Sequence, residues 1–156
     1  MAIYHMSSIE VRILQHDEAF ILANVDDDVF DDRIDPAACR EFLADRRHRL
    51  AVAIDAGQVV GFASGVICLH PDKPKPELWI NEVGVASGHR SQGIGRRLMD
   101  VMLEAGRAAG CRDAWVLTDR ANQAARRLYA AAGGRESGDH VMFTFPLAPA
   151  VNARIP

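Results

Sequence analysis

Val85-Ala86-Ser87-Gly88-His89-Arg90-Ser91-Gln92-Gly93-Ile94-Gly95-Arg96-Arg97-Leu98 runs from a β-prone segment through closely spaced glycines into an amphipathic pattern. Apolar residues recur at Ile94, Leu98, Met99, Val101, Met102 and Ala105, which predicts a helix over 93–109 ended by Gly110. A helix start leaves backbone N–H groups unpaired at the positive end of its dipole. Gly93 and Gly95, lacking side chains, allow those donors to close on a diphosphate while Arg90 and Arg96 add charge. Two common nucleotide motifs do not fit: no third glycine follows Gly95 at dinucleotide spacing, and no Gly-Lys-Ser/Thr follows. A glycine turn flanked by solvated arginines is the plain alternative for a lone Gly-x-Gly.

Outward from this turn, the punctuation suits one domain over residues 1–156. Ser8 to Leu14 reads as a short strand, and Asp17 to Val25 as a helix behind His16-Asp17. Pro36 behind Asp35 opens a helix expected to reach about Arg47. Leu50 to Asp55 and Gln58 to Leu69 are β-rich runs joined by Ala56-Gly57, a hairpin signal. The three prolines of His70 to Pro76 make that segment a loop. Glu77 to Ala86 is the next strand, Ala114 to Leu117 a buried one, Asn122 to Ala132 a helix stopped by Gly133-Gly134, and His140 to Phe145 a last strand. Hairpins followed by strand–helix–strand–helix–strand predict an α/β domain with a mixed sheet and helices on both faces.

The chain has 156 residues, 49% hydrophobic and 25% charged, with 18 lysines and arginines against 21 acids and a formal charge of −3. That balance argues against nucleic acid or an anionic membrane as partner. The longest apolar stretch, Val59 to Leu69, is half the roughly 20 residues a spanning helix needs. Cys39, Cys68 and Cys111 are scattered without Cys-x-x-Cys spacing, so the expectation is packed thiols in a reducing, cytoplasmic setting and no metal site.

Arg90-x-x-Gly93-x-Gly95 resembles the acyl-CoA-binding signature of the GNAT superfamily of N-acetyltransferases, between a strand and a helix as that signature requires. Asn122-Gln123-Ala124-Ala125-Arg126-Arg127-Leu128-Tyr129-Ala130-Ala131-Ala132-Gly133-Gly134 is similar to the later N-x-x-A-x-x-x-Y-x-x-x-G segment of the same superfamily. Trp79-Ile80-Asn81-Glu82-Val83-Gly84-Val85 and Arg127-Leu128-Tyr129 look most like the aminoglycoside 3-N-acetyltransferase branch. The resemblance implies a mostly antiparallel central sheet with a splayed central strand, acetyl-CoA as cofactor, and a homodimer. It also implies that Arg90, Ser91, Gln92, Gly93, Ile94, Gly95 and Arg96 hold the diphosphate. Backbone groups at Val83 and Val85, with Asn122, Ala125 and Tyr129, would meet the pantetheine arm. Gly84 suits a bulge or a close backbone approach.

Acetyl transfer to an amine needs a base for the ammonium and a proton for the departing thiolate. Glu82, in an otherwise apolar strand, is the candidate base, because burial raises a carboxyl toward the useful range; a carboxylate paired to a structural arginine, or one facing solvent at the strand edge, is its alternative. Tyr129 corresponds to the family's proton donor, and Asn122 could equally be a helix cap. Asp26, Asp27, Asp28, Asp31, Asp32 and Asp35 fall within ten positions, a pattern that attracts a polycationic small-molecule amine or simply makes a solvated loop. Asn81, Glu82, Asp119, Glu136 and Asp139 are further acceptor candidates. An amine other than an aminoglycoside, or a silent CoA-binding module, would share these features.

Overall fold

The computed structural model describes residues 9–147. Its five-stranded sheet is ordered β1 (Glu10–Ile13), β2 (His48–Asp55), β3 (Gln58–Cys68), β4 (Glu77–Val85), β5 (Ala114–Val116). The first three pairings are antiparallel and β4–β5 is parallel, which is the mixed, mostly antiparallel sheet expected. Among the described residues three α-helices accompany it, α1 (Pro36–Ala44), α2 (Ile94–Ala108) and α3 (Gln123–Ala131), with a 3₁₀ turn at Ala19–Ala23 and a second, shorter one at Ser87–His89. Ala56 and Gly57 both take positive φ, 47° and 82°, so the β2–β3 hairpin closes in the tight mirror-image turn that matches strand twist.

The two sheet faces are chemically different. A Cβ at Gly61 or Gly65 of β3 would touch Leu98 and Ile94, or Met102, of α2. Ala51, Ala53 and Ala63 share that face by register, so the helix lies close against a floor of small residues. Phe62, Leu78, Ile80, Ile94, Leu98 and Met102 are fully buried, each contributing roughly 1.5–3 kcal/mol of apolar burial. The opposite face carries Leu50, Val52 and Phe62; Phe30 stacks on Phe62 with ring centres 3.9 Å apart, and Phe42 of α1 stacks on His48 of β2 at 4.4 Å. Helices therefore do cover both faces.

Several local expectations are corrected. The helix expected over Asp17–Val25 is only the 3₁₀ turn, because the chain beyond it is drawn onto β3: Val59 N–H donates to Asn24 O at 2.9 Å and Val25 bridges Val59. Helix α1 starts where Pro36 and the Asp35 cap place it but stops at Ala44, where the Asp45 carboxylate takes both the Arg47 N–H and its guanidinium and turns the chain into β2. The last strand, His140 to Phe145, does not form. Its apolar alternation is present, but a strand exists only where a neighbour completes its hydrogen bonds, and this segment meets none among the described residues.

Candidate active site

Strand β4 decides the geometry. Gly65 pairs with Ile80 but Ser64 pairs with Glu82, so Asn81 is an extra residue, a bulge in β4. Leu78 and Ile80 face α2, and so do Val83 and Val85, whereas Glu82 shares the opposite face with Gly84. The bulge sits at Asn81 rather than at Gly84. Gly84 instead permits a close approach: a Cβ there would lie 2.7 Å from Val29 O and 2.8 Å from the Phe62 ring. Strand β5 pairs with β4 only from Leu78 to Ile80. From Asn81 to Val85 the β5-facing edge of β4 has no strand neighbour among the described residues, and this is the expected splay.

Glu82 is exposed rather than buried, and no ion pair or hydrogen bond holds its carboxylate among the described residues. Its structural arginine does not materialise. Partial desolvation by the surrounding protein, followed by the negative charge of Asp31, pushes its carboxyl above the usual range. Asp26, Asp27, Asp31 and Asp32 line a cleft of about 970 Å³ between the 3₁₀ turn and α1, together with Asp17 and the exposed ring of Phe20. Asp28 is not in this cleft. Its Oδ2 accepts the Ser87 N–H at 2.9 Å, which ties the acidic loop to the glycine turn, and hydrogen bonding from the Ser87 side chain, followed by that N–H, lowers its pKa. Asp17 and Phe20 carried no sign of a site in the sequence, since Asp17 read as the start of a helix and Phe20 as part of its apolar spacing.

The glycine turn is braced from three sides. His89 Nε2 meets Asp55 Oδ2 at 3.0 Å, Arg90 Nε donates to Val85 O at 3.1 Å, and Gln92 Nε2 donates to Gly88 O at 3.4 Å. Ser91 and Gly93 both adopt left-handed backbone, φ 61° and 76°. Gly93 caps α2 without any side-chain bond, and no acid stands in the first turn, so the N–H groups of Ile94, Gly95 and Arg96 remain the uncapped donors of a helix start. Gly95 serves packing as well: its missing Cβ would lie 3.3 Å from Leu128 of α3. Arg96 is held by Asp100 at 2.8 Å and donates to Ala131 O at the end of α3. The backbone, more than the two arginines, is thus what stands ready for an anion.

Helix α3 supplies the other half. Asn122 Oδ1 accepts the Ala125 N–H at 3.1 Å, so it is a helix cap in this structure. Tyr129 is half-buried against the core beside a second groove, of about 350 Å³, between β4, β5, α2 and α3; burial pushes its phenol upward. Glu136 pairs with Arg126 at 2.9 Å and Arg120 at 3.4 Å, which commits it to α3. Neither it nor Asp119 nor Asp139 lines the acidic cleft. Among the described residues no group of three or more His, Cys, Asp or Glu could hold a metal ion, and no helix is long and apolar enough to cross a membrane.

Comparison with known proteins bears on this arrangement. The chain is 30% identical over 103 residues to N-acetyltransferase 8 of Rattus norvegicus, covering 66% of this chain and 46% of that protein. N-acetyltransferase 8 of Mus musculus is 30% identical over 100 residues, 64% of this chain and 44% of the other. The chain thus spans about half the length of the curated relatives it matches. Among solved structures, an aminoglycoside acetyltransferase from an uncultured soil metagenomic sample superposes with a TM-score of 0.76 at 25% identity, over 90% of this chain and 99% of that one. The aminoglycoside N-acetyltransferase AAC(6')-Iy, in complex with CoA, shares the fold at a TM-score of 0.73 and 20% identity, over 94% and 100% of the two chains. Residues 10–133, from β1 through α3 and including the bulged strand and the glycine turn, match the model of the acetyltransferase (GNAT) family, and the chain belongs to that family.

Proposed function

We propose that the protein transfers the acetyl group of acetyl-CoA directly to a primary amine of a polycationic small molecule, the 3-amino group of an aminoglycoside being the acceptor that the sequence resemblance favours. The observation that carries this reading is Glu82: a carboxylate without an ionic partner among the described residues, turned by the Asn81 bulge away from α2 and close enough to Asp31 to feel its charge. An ammonium group drawn in by Asp26, Asp27 and Asp31 gains from their clustered charge. Glu82, with its raised pKa, is suited to take that ammonium's proton directly or through water. Acetyl-CoA, when bound, supplies the acetyl group as an activated thioester. The chain's elements fit such a ligand: uncapped N–H groups at the start of α2 for the diphosphate, and the edge of β4 from Asn81 to Val85, which no strand pairs among the described residues and where Arg90 holds the Val85 carbonyl, for an extended arm with amide groups. The Tyr129 hydroxyl, kept protonated by burial, provides a proton for the sulfur.

The reading is tested by following thiol release from acetyl-CoA with purified protein across aminoglycosides, linear polyamines and peptides. Release with aminoglycosides, and a product acetylated at the 3-amino group by NMR, is expected. Release with peptides or monoamines alone would move the acceptor to another class, and tight CoA binding with no release for any amine would overturn transfer itself.

A further inference from the structure

We infer that Ser64 is a positioning residue for Glu82: its hydroxyl, opposite that side chain across β3 and β4, donates a hydrogen bond to the ionised carboxylate, directly or through one water, and so aims it at the incoming amine. The inference rests on the reading of Glu82 as the base and deepens it by naming what holds that carboxylate.

Burial without a partner is the first observation. Among the described residues Ser64 is the one polar or charged residue buried with the core, at 8% exposure, and no hydrogen bond holds its hydroxyl there. A hydroxyl withdrawn from water is costly unless something bonds to it. Smallness alone would be met by alanine, and β3 uses alanine and glycine for that purpose on its other face, where Gly61, Ala63 and Gly65 lie against α2.

Register is the second. Ser64 pairs with Glu82 directly across the ladder, and side chains so placed have Cβ atoms roughly 4.5–5.5 Å apart, a gap that a glutamate side chain or one water spans. Without the extra residue Asn81, Ser64 would stand opposite Asn81, and Glu82 would stand opposite Ala63 on the α2 face. On its β2 side Ser64 pairs with Leu50, and along β3 the same face carries Phe62, covered by the ring of Phe30. Leu50 and Phe62 are buried and offer the hydroxyl no acceptor, so Glu82 is the polar side chain that the ladder sets before it. The apolar flank also lowers the local dielectric, which strengthens a bond to a charge.

The expected sign follows from the groups around the carboxyl. Partial desolvation and then Asp31, the charged group of the acidic loop, push it up, while β2 and β3 present Leu50, Phe62 and Ser64 and add no charge. A hydrogen bond to the ionised form opposes both and pulls the carboxyl down. Removing the hydroxyl therefore raises Glu82 further, the reverse of what removing Asp31 does.

The test titrates the Glu82 carboxyl by NMR in the full chain labelled at glutamate, its signal identified by its loss in Glu82→Gln, with neither acetyl-CoA nor acceptor present. Ser64→Ala is expected to raise the midpoint by about one pH unit with an unchanged circular dichroism spectrum. Ser64→Thr, which keeps the hydroxyl, is expected to titrate as the wild type does; Ser64→Ala decides alone should the threonine methyl disturb folding. In thiol release, the lower limb of the pH–rate profile of Ser64→Ala should move to higher pH by the same amount, with kcat about tenfold lower below the midpoint and the Michaelis constant for acetyl-CoA unchanged. A midpoint that Ser64→Ala leaves in place, or that Ser64→Thr displaces just as far, overturns the role of Ser64 and leaves acetyl transfer standing. A displaced midpoint in a chain that releases no thiol with any amine overturns acetyl transfer and leaves the Ser64–Glu82 bond standing.

Discussion

Ile80 and Glu82, two positions apart on β4, point to opposite faces of the sheet. In a regular strand they would share a face, and Glu82 would be driven with Ile80 against α2. Asn81, the extra residue, breaks the alternation. A hydrophobic side chain thereby stays in the core while the carboxylate two residues later reaches the acidic loop and Asp31.

That placement gives Glu82→Gln a signed pH dependence. The folded protein raises the Glu82 carboxyl, so it disfavours the ionised form. The stability tied to the protonated form is fully present below the unfolded-state pKa and lost as pH rises through the folded-state one. The variant should therefore melt with the wild type in acid and slightly above it at neutral pH, as thermal melts across pH would show. Its acetyl-transfer rate should lose the wild-type rise with pH. A variant less stable than wild type at neutral pH would refute the assigned sign.

Asp31→Asn removes one of the two causes of that shift. The lower limb of the pH–rate profile should move toward more acidic pH without reaching the ordinary carboxylate range, because partial desolvation, the larger cause, remains. The same variant should raise the Michaelis constant for a polycationic acceptor more than for a monoamine. A profile that does not move would separate the two carboxylates.

Tyr129→Phe isolates the acid. Burial holds the phenol above its usual value, so the hydroxyl remains protonated throughout the working range and adds no descending limb near neutrality. Removing it should reduce the rate by about 10²- to 10⁴-fold, with CoA affinity by calorimetry little changed. A wild-type rate would return Tyr129 to a packing role.

Two glycines should respond to alanine for different reasons. At Gly84 the added methyl meets Val29 O at 2.7 Å and the Phe62 ring at 2.8 Å, an overpacking that should cost about 1–3 kcal/mol in urea unfolding. At Gly93 there is open space, but φ is +76°. There the strain should cost about 1–2 kcal/mol and fall on the α2 start, weakening CoA binding in calorimetry.

Much of the architecture was legible because it is written in local patterns. The Ala56-Gly57 hairpin, the Pro36 helix start, the prolines before β4 and the apolar period of α2 each follow from backbone preference or one-sided burial, and none depends on a distant partner. The glycine turn and the Asn122–Gly134 segment were equally visible, and they point to the family that residues 10–133 match. The acidic run was visible as a run, though its division of labour was not: Asp28 braces Ser87 while Asp26, Asp27 and Asp31 face the cleft.

What tertiary structure alone decided is where residues of one pattern end up relative to elements far along the chain. Asn81 becomes a bulge because of how β3 pairs beside it, and nothing in Trp79–Val85 marks which residue will be skipped. Arg96 is engaged by Ala131 only once α3 has docked. The apolar alternation of Val141–Phe145 is a strand's pattern without a strand's neighbour. Composition and periodicity fix what a segment prefers, whereas register, facing and pairing belong to two segments at once and are settled only when both are in place.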